Sequence, residues 1–360
     1  MLGIRSALDL LIEPGAVFEI RAITDSGISS GYYDNPEKAE VDVLILDADR
    51  TTTGIYVTLN PVNPDLLARR ANRIKTRLSK KDATTADLDI VRRRWFPIDI
   101  DPVRPSGVSS SEEEHQNALD KAESIKAYLS ELGWSEPISA DSGNGAHLLY
   151  LIDIPNDEQS RDLVKDALNT LSVLFSDSRC VVDTANFNAS RIWKLYGTTS
   201  RKGDNTPTRS HRRAAVTETP PEICAVTEEQ IRSLASLLPK DEPVKQTRKR
   251  TGQPIDLGTW LDSHGLGYEQ KPYADGTIFI LDECPFSSAH KDGAFAIQFA
   301  SGGIFAGCHH NSCGSGSQRW QELREIYDGV KCPPPGTARK DYNKKSDKKA
   351  ILESARTTPT

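Results

Sequence analysis

The stretch Phe96-Pro97-Ile98-Asp99-Ile100-Asp101-Pro102 constrains the chain most. Its alternation predicts a strand. Side chains alternate across a strand, so Asp99 and Asp101 share one face, with Cα atoms roughly 6–7 Å apart. Phe96, Ile98 and Ile100 point the other way and anchor the strand in a core. Pro102 ends the pairing, because it has no N–H for a ladder. Two acids fixed side by side on a rigid element suit a hard divalent cation, which takes oxygen ligands. A bare Asp-x-Asp is more often a strand end with solvated acids, so the weight falls on the residues downstream of it.

A chain of 360 residues has room for one large domain and a smaller one. Mean hydropathy is -0.50 and no apolar run reaches membrane-spanning length. Arg5, Asp9 and Glu13 interrupt the N-terminal apolar stretch, unlike a signal peptide. A cytoplasmic protein with no membrane partner is expected. The net charge of -6 excludes a uniformly basic surface but not a local basic patch. The 6 cysteines fall mostly in the C-terminal third, and in a cytosolic chain that points to metal binding over disulfides.

Periodicity predicts a helix over 2–12, strands at 17–23 and 54–60, and a helix started by Asn35-Pro36. A helix over 64–78 is expected to carry Arg69, Arg70, Arg73, Lys75 and Arg77 on one side, either as a solvated face or as a phosphate-contacting one. Residues 84–94 read as helical, and 112–132 and 158–175 as long helices. Strands at 137–140 and 146–151 flank the turn Asp141-Ser142-Gly143-Asn144-Gly145, where Asn-Gly is a strong turn signal. Short strands are expected at 180–183 and 191–196, and Thr227 caps a helix running to Leu238. The organisation is a first unit over 1–238, a basic linker over 239–256, a cysteine-bearing unit over 257–330 and a basic, disordered tail over 331–360.

Three segments supply what a metal-bound nucleotide needs beside Asp99 and Asp101. In the glycine-rich turn, Gly143 lets backbone amides approach an anion, Ser142 adds a hydroxyl, and His147 can donate to a phosphate oxygen. Asp183 ends the apolar Val181-Val182, either as a third carboxylate or as a turn cap. Arg191, Lys194, Arg201 and Lys202 bracket Gly197-Thr198-Thr199, where fixed cations can hold a triphosphate. Each alone is a common surface residue; their order is not common.

That order resembles the archaeo-eukaryotic primase superfamily, in its primase-polymerase branch of phages, plasmids and bacterial mobile elements. The first motif is matched by Asp99 and Asp101, the second by Ser142 to His147, and the third by Val182-Asp183. The basic apolar-x-Gly-Thr turn is matched by Lys194-Leu195-Tyr196-Gly197-Thr198, with Arg191 before it and Lys202 beyond. Tyr196 stands where many relatives carry proline. The resemblance covers roughly residues 15–215.

The resemblance implies an α+β primase-polymerase fold, an RRM-like antiparallel catalytic sheet joined to an N-terminal α/β unit. It implies two-metal nucleotidyl transfer, with Asp99, Asp101 and Asp183 holding two Mg²⁺ or Mn²⁺ ions. Ser142, Gly143, His147, Arg191, Lys194 and Lys202 would bind the nucleoside triphosphate, and Arg69, Arg70 and Arg73 the single-stranded DNA template. A helicase, in cis or in trans, is the expected partner. The rival readings are an inactive primase fold that binds nucleic acid in replication or defence, and a metal-dependent nuclease.

Downstream, Cys284, His290, Cys308 and Cys313 form the series Cys-x5-His-x17-Cys-x4-Cys. Two close pairs separated by a hairpin-length segment suit a tetrahedral zinc site, structural or template-binding. His309 and His310 compete with His290 for the fourth position. The order resembles the zinc ribbons of bacterial and phage primases. Cys180 and Cys224 read as packing residues, and Cys332 has no assigned role.

Overall fold

A computed structural model describes residues 3–239 and 255–329, apart from Ser315. Most of the expected linker and all of the expected tail, Cys332 included, lie outside the described residues. The chain is α+β, and every pairing between its named strands is antiparallel.

The Asp-x-Asp stretch closes the strand Arg92–Pro102. That strand pairs with Ala146–Pro155 on one side and Cys180–Val182 on the other. Ile138–Asp141 and Ala215–Glu218 complete a five-stranded sheet. Helices Glu112–Glu131 and Glu158–Phe175 cover one face of it. Phe96, Ile98 and Ile100 are buried there with Ala118, Ile125 and Leu129 of the first helix and Val164, Leu168 and Leu171 of the second. Each of these side chains larger than alanine contributes about 1.5–3 kcal/mol on full burial. Ser111 caps the first helix through Glu114 N–H, and Glu114 accepts from Ser111 N–H in return.

A second sheet has the order Gly27–Tyr33, Phe18–Thr24, Thr52–Thr58, Ile192–Lys194. Helices Ile4–Leu11 and Pro36–Ala48 pack on it, the latter started by Asn35 as expected. This sheet meets the free face of the first through Trp95, Ile138, Ala140 and Leu149. Trp95, Asp99 and Asp101 alternate onto one face, so the strand runs from this shared core into the gap where the sheets part.

Two expected helices are absent. Residues 64–78 hold one short 3₁₀ helix, Pro64–Arg69, after which the chain lies along the edge strand Gly27–Tyr33, with Ala71 bridged to Tyr32 and Lys75 to Ser30. An open sheet edge offers backbone partners that a short helix with few buried side chains cannot match. The arginines therefore share no helix face. Arg70 is buried and donates to Ser30 Oγ and Ala83 O, whereas Arg69 and Arg73 are exposed. Residues 84–94 hold one turn, Asp87–Asp89, before the long strand begins.

The C-terminal unit is a four-stranded sheet, Tyr268–Tyr273, Gly276–Leu281, Ala294–Gln298 and Ile304–Cys308, with helices Leu257–Ser263 and Trp320–Asp328. It is docked on the first unit. Phe295, Ile297 and Phe305 share a core with Leu238, against Val173 and Leu174. Lys271 donates to Ser176 O, and the His309 ring lies 4.5 Å from Tyr128 and 6.0 Å from Phe175. These are contacts to the helix layer, on the side of the sheet away from Asp99 and Asp101. Cys180 is buried as expected, but Cys224 is exposed and packs no core. Among the described residues no helix is long and apolar enough to cross a membrane.

Candidate active site and metal cluster

Where the two sheets part, a cavity of about 370 Å³ is lined by Asp99, Asp101, Ser142, His147, Asp183, Arg191, Lys194 and Lys202, among others. Asp99 and Asp101 come from one strand face, as alternation requires. Asp183 reaches the same place because Val182 pairs with Ile100, and Asp183 N–H donates to Asp99 O at 2.9 Å. Burial pushes the Asp99 carboxyl up, but His147, Lys202 and Arg191 outweigh it and hold Asp99 below its usual range. Asp101 goes the other way, raised by burial and by the Asp99 charge against the pull of Arg104. Two carboxylates forced together in this way, with oxygen donors only, fit a hard cation.

The three acids are also engaged by the protein itself. Asp101 pairs with Arg104 at 3.2 Å and Asp183 with Arg191 at 3.3 Å. Asp183 also caps the turn Thr184–Phe187 through Ala185 N–H, so it is cap and cavity wall at once. Among the described residues their oxygens do not form a set of three within 4.8 Å, whereas the cysteine cluster below does.

The turn before His147 differs from a phosphate cradle. Gly143 N–H donates to Asp141 Oδ1, and Gly145 N–H donates to Ser142 Oγ, so these amides are taken. The glycines are required sterically instead. Gly143 has φ +89°, and a Cβ on Gly145 would lie 2.3 Å from Ile100 O. Ser142 Oγ accepts from Gly145 N–H and donates to no acceptor among the described residues, so its hydroxyl hydrogen is available to the cavity it lines. His147 is buried, with Nδ1 3.0 Å from Tyr196 Oη and Nε2 3.4 Å from Asp99 Oδ1.

The cations divide by tertiary position. Lys194 lies on the second sheet, where Tyr56 pairs with it, and donates to Thr198 Oγ1 and Thr199 O. Burial pushes its ammonium down to about 7. Lys202 is exposed at the rim, with no ion-pair partner for its ammonium among the described residues. Arg201 is no part of the site: Asp47 holds it at 3.2 Å.

The cavity also takes in residues that sequence reasoning missed: Ile23, Tyr56, Asn144, Asn186, Trp193 and Ser200. Asn144 stands inside the turn and is legible only as a turn residue; its Oδ1 accepts from Ser110 N–H at 2.9 Å, which ties the turn to the start of the helix Glu112–Glu131. Tyr56 comes from a strand with no local mark of function. Burial and the charges of Asp99 and Asp101 raise its phenol.

In the C-terminal unit, Cys284, His290, Cys308 and Cys313 bring their ligand atoms within 4.8 Å of one another and can bind a metal such as zinc. The thiols of Cys284 and Cys308 are raised, chiefly by burial, a burden that a dication removes by binding them as thiolates. Arg319 donates to Cys313 Sγ at 2.8 Å. The competing histidines are engaged elsewhere: His309 sits against Tyr128 and Phe175, and His310 lies between Glu131 and Asp292, each at 3.1 Å.

Comparison of the chain with protein-family models, curated proteins and solved structures gives no significant match, so the reading of its function rests on the residues themselves.

Proposed function

We propose that the chain is a DNA primase-polymerase, which makes or extends primers on single-stranded DNA from nucleoside triphosphates. One observation carries this reading. Acids carried by one sheet, and cations on or flanking the strand Ile192–Lys194 of the other, line a single cavity, although Asp99 and Lys202 are far apart in sequence. A nuclease would need the acids but not cations on the leaving-group side. In this reading the five-stranded sheet is the RRM-like catalytic sheet of a primase-polymerase fold.

Asp99 and Asp101, with Asp183 beside them, would hold two Mg²⁺ or Mn²⁺ ions. When bound, such ions lower the pKa of an attacking hydroxyl and offset charge on the leaving pyrophosphate. The chain's own groups bind and orient the triphosphate. Lys202 and Arg191 meet it at the rim, and Ser142 donates its hydroxyl hydrogen. His147 supplies a donor next to Asp99, and Lys194 adds positive charge from the cavity wall. Exposed Arg69 and Arg73 would contact template phosphates, while buried Arg70 holds their segment in place. The zinc unit, docked on the helix layer, would act as a structural element.

The test is nucleotide incorporation on a circular single-stranded template, with deoxy- and ribonucleotides and with Mg²⁺ and Mn²⁺. Asp99→Ala should lose at least about a thousandfold in rate with an unchanged circular dichroism spectrum. Full activity in that variant refutes the assignment. Template degradation without triphosphates identifies a nuclease, and binding without synthesis an inactive fold.

A further inference from the structure

Tyr196 is fully buried, and its hydroxyl has two partners, Trp193 Nε1 at 2.8 Å and His147 Nδ1 at 3.0 Å. An indole N–H can only donate, so it takes a lone pair of the phenol oxygen. The phenol hydrogen then needs an acceptor, and the one that the structure places beside it is His147 Nδ1. Buried polar groups pair when a partner is in reach. Nδ1 is therefore the acceptor, and the neutral imidazole carries its hydrogen on Nε2, which faces Asp99 Oδ1 at 3.4 Å. The Trp193 ring, with its centroid 3.9 Å from that of His147, fixes the plane of the imidazole.

The geometry points to Tyr196 as a positioning residue that, with Trp193, holds His147 in the form carrying hydrogen on Nε2. The histidine then offers the cavity a donor and not a lone pair. It can donate to an anionic oxygen of a ligand beside Asp99, and it is barred from ligating a cation through Nε2. A metal in this cavity is left to oxygen donors, although imidazole is a common ligand for transition metals. Only the identity of the anion, a nucleotide phosphate, rests on the proposed function.

The test is nitrogen-15 NMR of the imidazole rings in the zinc-loaded full chain without nucleotide, with His147 assigned by its loss in His147→Gln. The expected spectrum has an unprotonated Nδ1 and a protonated Nε2. A proton on Nδ1, or an even mixture of the two forms, overturns the inference without recourse to any variant. Tyr196→Phe should move the His147 signals toward a mixture and raise the KM for triphosphate about tenfold, with less change in kcat. A Tyr196→Phe spectrum identical to the parent's also overturns it. The spectrum is read without substrate. A chain with the expected tautomer but no nucleotide incorporation would therefore sink the proposed function and leave this inference standing.

Discussion

The cysteine cluster and the acid cavity are both places where a cation fits, and they are built in opposite ways. In the cluster, the four ligand atoms already lie within 4.8 Å of one another and the cysteines are buried. In the cavity, the carboxylates face a space of about 370 Å³ and are engaged by Arg104, Arg191 and His147. A closed set with no room for a further ligand suits a metal that holds structure. An open set with exchangeable partners suits a ligand that comes and goes, with its charge partly met by the protein in the meantime. Burial of the thiols makes the closed set dependent on its metal, whereas the acids of the open set already have cationic or histidine partners.

The sharpest way to break this comparison is to remove one member of the closed set. Cys308→Ser should abolish zinc retention and melt the C-terminal unit, at a cost on the order of 10 kcal/mol in apparent metal-linked folding energy. Zinc content and thermal melting check it; a parent-like melt would mean that the cluster is not structural. Because Phe295 and Ile297 share a core with Leu238, the melting of the first unit should fall as well.

A second test uses pH on the open set. Lys194 is depressed to about 7 from an unfolded value near 10.5. The unfolded chain thus holds the proton more tightly, and a folding penalty is fully present below about pH 7. It fades as pH rises toward 10.5, so stability should climb across that window by up to about 1.4 kcal/mol per pH unit. Lys194→Met should flatten the climb in denaturant melts. An unchanged slope would place the titration elsewhere.

A smaller effect is expected at the rim. Lys202→Ala should raise the KM for triphosphate about tenfold, by removing one charge-assisted contact, with melting unchanged. Equal loss in kcat and no change in KM would remove Lys202 from the binding role. The smallest concerns the template. Arg73→Ala should lower the salt slope of single-stranded DNA binding by about 0.7, as for one phosphate contact, while Arg70→Ala should chiefly destabilise the fold. Equal salt slopes in the two variants would erase the distinction between them.

Much of the local structure was legible because it depends on near neighbours. The alternation around Asp99 and Asp101, the Asn35 helix start, the long helix beginning at 112, the Asn144-Gly145 turn and the cysteine spacing all show in a few residues. The helix expected over 64–78 failed because its apolar period was real but weak, and an open strand edge competed for its backbone. The amide cradle expected around Gly143 failed because Asp141 and Ser142, its near neighbours in the chain, accept the turn's amide hydrogens first.

By itself the sequence determined which strand carries the acids, where the long helices begin and which three cysteines can serve a metal, since periodicity and spacing act over short range; the tertiary structure chose His290 over His309 and His310 as the fourth member. Only the tertiary structure decided that Lys194 crosses to the second sheet, that Arg70 is buried while Arg73 is exposed, and that the cysteine unit sits on the helix layer away from the carboxylates. Those outcomes depend on strand partners and shared cores between distant segments, which no local pattern encodes.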